Sequence, residues 1–363
     1  MQNILKIFWV ALIIFGCSTS DDSNPTPNPI PPFDETLYFP PINSSTWETE
    51  SLNDLNWDSN ALTDLLTFVE EKNSESFIIL KNGKIVVEWY GNGASASSNH
   101  TWNSASKTLA AFTIGIAEQA GLLDVNDSSK DYLGEGWSSL SPEQENAITV
   151  RHHLTMTTGI DYEADNSNCT DPDCLVYLNE PGTFWYYDNA TYTLTHRIIE
   201  GASGKEFKTY FNEELRNKIG MQGAWITLGY FELYASNARS MARYGILCLN
   251  KGKWEDEQIL NESFFNEMTT TSQNLNKSYG YFWWLNGKES FHLPSTVQEF
   301  TGPLFPSAPS DLISSLGKDD QKVYVVPSEN LVVVRMGDSA DESNYGPSSF
   351  DSQLWEKITA LYE

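Results

Sequence analysis

Apolar positions follow two kinds of pattern along the chain. Phe77–Leu80 and Ile85–Trp89 are short β-branched and aromatic runs on either side of Lys81-Asn82-Gly83-Lys84. Asn-Gly between such runs predicts a hairpin, because both turn positions need positive φ. Val323–Val326 and Leu331–Met336 repeat the pattern around Pro-Ser-Glu-Asn. Tyr279–Leu285 (YGYFWWL) is a third strand candidate, whose alternation would send Trp283 and Trp284 to opposite faces. Between these ends the period is helical, over Ser104–Ala120, Thr149–Thr157, Tyr192–Glu200, Phe207–Lys218 and Ala238–Leu249. A last helix, Phe350–Leu361, aligns Phe350, Leu354, Ile358 and Leu361 on one face. Strands at both ends with helices between imply an α/β (α+β) fold. Its antiparallel sheet is formed from both chain ends, flanked by helices, with an inserted helical subdomain.

The first residues stand outside that pattern. Met1–Gly16 carries one Lys and an apolar core, and reads as a secretory signal too short to span a bilayer. Ile14-Phe15-Gly16-Cys17 resembles the lipobox of bacterial lipoproteins, which implies lipidation of Cys17 and an exported protein anchored in the bacterial cell envelope. Asp21-Asp22 resemble the acidic tether of lipoproteins carried to the cell surface, and the Pro-rich stretch 18–33 predicts an extended spacer. The expected organisation is a signal at 1–16, a lipidated tether at 17–36, a lead-in at 37–72 and a folded body at 73–363. Membrane contact is expected only through the N-terminal lipid.

Composition narrows the function. With 40% hydrophobic residues there is material for a sizeable core. A net charge of −27 argues against a nucleic-acid partner, because phosphate binding needs basic stripes. Export makes Cys169 and Cys174, in DNSNCTDPDC, a disulfide candidate, while Cys248 sits in an apolar run and reads as a buried small hydrophobe. The acidic loop Asp161–Asp173 reads as a solvated face; a functional version makes it a disulfide-pinned lid beside Tyr187. Trp185 reads as core, or as a wall of an aromatic pocket. No metal or cofactor is implied. His152 and His153 are adjacent, and there is no HExxH. The EF-hand-like run from Asp124 has Ser129 where the turn needs Gly. Gly-x-Ser-x-Gly is absent, against an α/β-hydrolase.

The sharpest chemical feature is Ser104-Ala105-Ser106-Lys107 at the start of a helix. Ser and Lys at i and i+3 share a helical face, so the amine can reach the hydroxyl. Helix-start N–H groups favour developing negative charge there. The helix continues small and apolar through Ala117, and burial pushes a Lys towards its neutral, basic form. A second element, Tyr187-Asp188-Asn189, puts a phenol and an amide two apart on an extended stretch, facing the same way. The amide could bond both a substrate carbonyl and the Lys.

Ser104-x-x-Lys107 followed by Tyr187-x-Asn189 resembles the serine β-lactamase and penicillin-binding protein superfamily, nearest its class C, carboxylesterase and nylon-oligomer hydrolase branches. Ile148–Gly159 and Ala238–Gly245 are also similar to family sequence. The resemblance implies Ser104 as nucleophile, Lys107 and Tyr187 sharing the base role, and Asn189 positioning substrate. It matches Ser315-Leu316-Gly317 to the family's third motif, with the N–H of Lys318 joining that of Ser104 as the oxyanion hole. The cationic first position of that motif is absent, which favours esters or amides lacking the carboxylate of a β-lactam drug. Asp188 departs from the family's small residue, and strand alternation predicts that it points away from Lys107. The implied function is an exported serine hydrolase acting on a small-molecule or peptide-like ester or amide. A β-lactamase or D-Ala-D-Ala carboxypeptidase, and a catalytically silent binding protein, stand as alternatives.

Overall fold

The computed structural model describes residues 37–163, 166–341 and 346–362. The signal, Cys17 and the tether lie outside the described residues. A six-stranded antiparallel sheet forms the centre, in the order Lys84–Tyr90, Ser74–Lys81, Leu331–Gly337, Gln321–Val326, Ile313–Gly317, Trp284–Leu285. The two ends of the chain therefore meet in adjacent strands, with Phe77 opposite Arg335 and Lys81 opposite Leu331. Asn82 and Gly83 take φ of 51° and 81° in the first hairpin, as an Asn-Gly turn requires.

Ala238–Leu249 packs on one face of the sheet, and Gly245 gives it the closeness it needs: a Cβ there would lie 2.4 Å from a methyl of Val332. Ser59–Glu71, from the lead-in, packs against the closing helix Ser349–Thr359, with the rings of Phe68 and Phe350 stacked at 5.7 Å. The inserted part carries the helices Val150–Leu154 and Asn189–Ser203 and a small sheet of His100–Thr101, Phe231–Ser236 and Ala224–Leu228. The helix Ser106–Gln119 is buried from Ser106 to Ala117, which accounts for its small, apolar sequence.

Three elements depart from the periodicity reading. Tyr279–Leu285 is a strand only at Trp284–Leu285. Phe282 takes φ 62°, and the N–H groups of Tyr281 and Phe282 go to Met268 and Leu154 rather than along a ladder. All five aromatic rings of this stretch are buried, Trp283 and Trp284 alike, so alternation had no solvent side to select. Phe207–Lys218 is α-helical to Phe211 and continues as a π-helical turn, Asn212–Arg216. Thr149–Thr157 stops at Leu154, and Met156 then turns the chain with φ 59°.

Beneath the end of the sheet Arg335 is fully buried. Its guanidinium donates to Ser74 Oγ and to the carbonyls of Lys72, Asp319, Asp320 and Asp338. Asp319 and Asp320 both take positive φ, near 59° and 58°, so this cation holds a strained turn that begins at Lys318. Lys322 pairs with Asp320 at 3.1 Å and Asp351 at 3.0 Å, tying the turn to the closing helix. Arg335→Met keeps the apolar bulk but strips five acceptors of their donor. It is expected to lower unfolding free energy by roughly 3–5 kcal/mol, read by urea denaturation.

Candidate active site

Ser104 lies in a 3-10 turn, Asn103–Ala105, that leads into the Ser106–Gln119 helix. Asn103 is held in the left-handed region, at φ 49°, and its Nδ2 donates to the Lys318 carbonyl at 2.8 Å. Behind the turn, Ser106 Oγ accepts from the N–H of Tyr234 and Trp102 Nε1 donates to Ser236, so the small sheet braces the serine. On the other side Ser315 Oγ donates to the Ala105 carbonyl at 2.7 Å. Sheet and inserted part thus grip one turn between them.

Lys107 is one helical turn on and buried. Its Nζ sits 3.2 Å from Ser104 Oγ and 2.9 Å from Asn189 Oδ1, 4.3 Å from the ring centre of Tyr192 and 5.0 Å from that of Tyr187. Burial pulls its pKa down to about 7, against the opposing pull of the Asp188 charge. Tyr187 hydrogen-bonds Ser104, and burial pushes its phenol well above the usual value. The Tyr187 ring stacks on Trp284 at 5.9 Å.

Asn189 is the first residue of its helix rather than part of an extended run. The extended stretch ends at Asp188, whose carboxylate caps the helix by accepting from the Ala190 N–H at 2.8 Å. The carboxylate is directed at the start of its own helix and makes no ion pair with Lys107. It is buried within reach of the Lys107 charge, and burial raises its pKa to about 7. A helix cap, not strand alternation, sets its direction.

Gly317 ends the Ile313–Gly317 strand. Its φ is ordinary, and what demands glycine is space: a Cβ would lie 2.2 Å from the Trp102 carbonyl oxygen and 3.2 Å from the Ala105 nitrogen. Lys318 follows, exposed at the rim. Ser104, Tyr187, Asn189 and Lys318 line a cavity of about 420 Å³, together with Ser167, Asn168, Phe231, Trp284 and Ser295. Trp185 is core, edge-on to Tyr279. Cys169 and Cys174 are joined in a disulfide, and Cys248 is a buried thiol.

The single group of three possible metal ligands among the described residues is Glu75, His100 and Asp338, none of which lines this cavity. His153 is committed to the Thr191 carbonyl and Ser129 Oγ. Sequence reasoning missed Asn103, Asn168, Tyr192 and Trp284. Trp284 was within reach as part of an aromatic run; the others carry no local signal, because their partners lie on distant segments.

The beta-lactamase family model matches residues 71–347. The 6-aminohexanoate-dimer hydrolase of Paenarthrobacter ureafaciens is 20% identical over 326 residues, 77% of this chain and 76% of that protein. A penicillin-binding protein homologue from Caulobacter crescentus superposes with a TM-score of 0.65 at 12% identity, over 83% of this chain and 98% of its own. A beta-lactamase from Mycobacterium bovis gives 0.58 at 15% identity, over 80% and 95%.

The depressed Lys107 pKa has a consequence for stability. Between pH 7 and the ordinary lysine value the unfolded chain holds a proton here that the folded chain has released, so stability rises with pH across that window. Lys107→Met removes the contribution. Urea titrations from pH 7 to 9.5 should show the wild type gaining on Lys107→Met, with a slope approaching about 1.4 kcal/mol per pH unit. Parallel curves would mean that the ammonium stays charged.

Proposed function

The chain belongs to the beta-lactamase family, and from that premise we propose that it is a serine hydrolase cleaving an ester or a linear amide through an acyl-enzyme. The single observation that carries the reading is the buried Lys107 amine 3.2 Å from Ser104 Oγ. An amine with a pKa near 7 is half neutral at physiological pH and has a lone pair for the serine proton. Tyr187, whose phenol stays protonated, is suited to pass a proton to the leaving group rather than to act as the resting base.

Ser104 Oγ attacks the carbonyl as Lys107 takes its proton. The backbone N–H groups of Ser104 and Lys318 hold the oxyanion, which the bare Cα of Gly317 lets close. Collapse expels the alcohol or amine, and water then releases the acyl group. At the family's cationic position stands Ser315, whose hydroxyl is spent on Ala105, so the usual charge for a drug carboxylate is missing there. The aromatic wall of Trp284 and Phe231 and the Lys318 ammonium at the rim suit a linear acyl chain with a polar end, in keeping with the amide substrate in the name of the Paenarthrobacter relative. The Cys169–Cys174 disulfide fits an exported destination, with Cys17 as lipid anchor.

A fluorophosphonate probe should add one adduct to Ser104 by intact mass and peptide mapping, and Ser104→Ala should lose it together with roughly 10³-fold or more of p-nitrophenyl ester turnover. No adduct on folded wild type would overturn the reading. Because Lys107 must shed its proton to act, kcat/KM should rise as pH increases through about 7. A profile flat between about pH 6 and 8 would remove Lys107 from the base role.

A further inference from the structure

The Asn189 amide has two ends, and they do opposite things to a neighbouring amine. Its Oδ1 accepts from Lys107 Nζ at 2.9 Å, and the same Nζ lies 3.2 Å from Ser104 Oγ; when the amine is neutral, spending an N–H on Asn189 leaves its lone pair for the serine. Rotated by half a turn, the same amide would present its NH2 to Lys107. It would then donate into that lone pair and occupy the electrons that have to take the serine proton. Lys107 alone does not enforce the useful orientation, since a neutral amine both donates and accepts. A second partner has to choose.

That partner is Asn168. Its Oδ1 accepts from Asn189 Nδ2 at 3.0 Å, and it lines the cavity. It comes from the acidic loop, twenty-one residues before Asn189 in sequence, and is next to Cys169. Cys169 is buried and bonded to Cys174 across a five-residue separation. Inside that ring Asp171 accepts from the hydroxyl of Tyr230, a residue adjoining the cavity-lining Phe231. At its neck the loop is closed by the Ile160–Tyr177 bridge and by the Asp161 N–H on the Val176 carbonyl.

Resting on the serine-hydrolase reading, we propose that Asn168 is a positioning residue. It sets which end of the Asn189 amide faces Lys107, and the Cys169–Cys174 disulfide holds it at that task. Thiol–disulfide exchange with a dithiol, which gives up two electrons and two protons and closes to its own disulfide, leaves Cys169 and Cys174 as thiols, lengthens the loop's free span and lets Asn168 leave Asn189, so the hydrolase is tuned by the oxidation state of a bond outside its catalytic set. Cys248 is already a thiol, so a reductant changes only the loop pair among the described cysteines.

The test uses ester turnover and the rate of fluorophosphonate labelling of Ser104. Asn168→Ala should lower kcat and the labelling rate by roughly tenfold, the scale of one hydrogen bond to a charged or reacting group, with KM within about twofold. Asn168→Asp keeps an acceptor facing Asn189 Nδ2 and should recover most of the loss, which a merely structural role would not allow. Cys169→Ser/Cys174→Ser, or reduction of the wild type, should reproduce the Asn168→Ala loss, and combining it with Asn168→Ala should add little. Full activity in Asn168→Ala, an Asp variant as poor as Ala, or losses that multiply would each overturn the proposal. Unlabelled wild type would instead overturn the hydrolase reading and take this proposal with it, so the two failures are told apart.

Discussion

A lysine amine held in a dry place, where carrying its charge is costly, is the constraint on which the rest of this structure depends. Ordinary solvation would keep Lys107 protonated at neutral pH. Its neutral form is favoured by burial, and burial here is the work of a helix with no polar face between Leu109 and Ala117 except Thr113, whose hydroxyl is turned back onto the Leu109 carbonyl. Several neighbours pull the other way. The Tyr187 and Tyr192 rings and the Asn189 carbonyl oxygen all suit a cation, and Asp188 adds a partial charge nearby. Desolvation outweighs them, and the balance leaves the pKa near neutrality rather than far below it. An amine poised there is populated in both protonation states near neutral pH.

The geometry around that amine comes from three segments that only the fold brings together. The serine turn leads into the buried helix, the phenol and amide come from the start of a helix in the inserted part, and the rim comes from the strand ending at Gly317. Hydrogen bonds join them: Asn103 reaches the Lys318 carbonyl, Ser315 reaches the Ala105 carbonyl and Lys107 reaches Asn189, while Tyr234 of the small sheet braces Ser106 from behind. Arg335 then anchors the 318–320 turn to the first strand of the sheet through Ser74. The left-handed conformations of Asn103, Asp319 and Asp320 are thus tied into one unit, Asn103 through its bond to the Lys318 carbonyl and the 319–320 turn through the Arg335 guanidinium.

Charge elsewhere works differently. Ion pairs with both partners exposed, as between Lys205 and Glu213 or Lys251 and Glu262, contribute little in a surface this acidic. The pairs that organise the molecule are the buried ones, Lys322 with Asp320 and Asp351, which join the sheet to the closing helix. Losing one partner there would leave a charge with no water to turn to.

Local pattern carried the hairpins, the helix after Ser104, the i to i+3 placement of its lysine and the pairing of Cys169 with Cys174, because each depends on neighbours in the chain. The sheet built from both ends was legible for the same reason: Asn82-Gly83 and the two C-terminal runs declare their turns and pleats by themselves. Long-range packing decided the rest. YGYFWWL could not alternate where every face is buried, and Asp188 turned into a helix start instead of following a strand. Asn103, Asn168 and Tyr192 carry no signal in their own surroundings, since each acquires its role from a partner brought close only by folding. Sequence set which groups were available and how they were spaced along one element. Tertiary structure set their solvation and their distances across elements, and those two quantities give an amine its pKa and an amide its orientation.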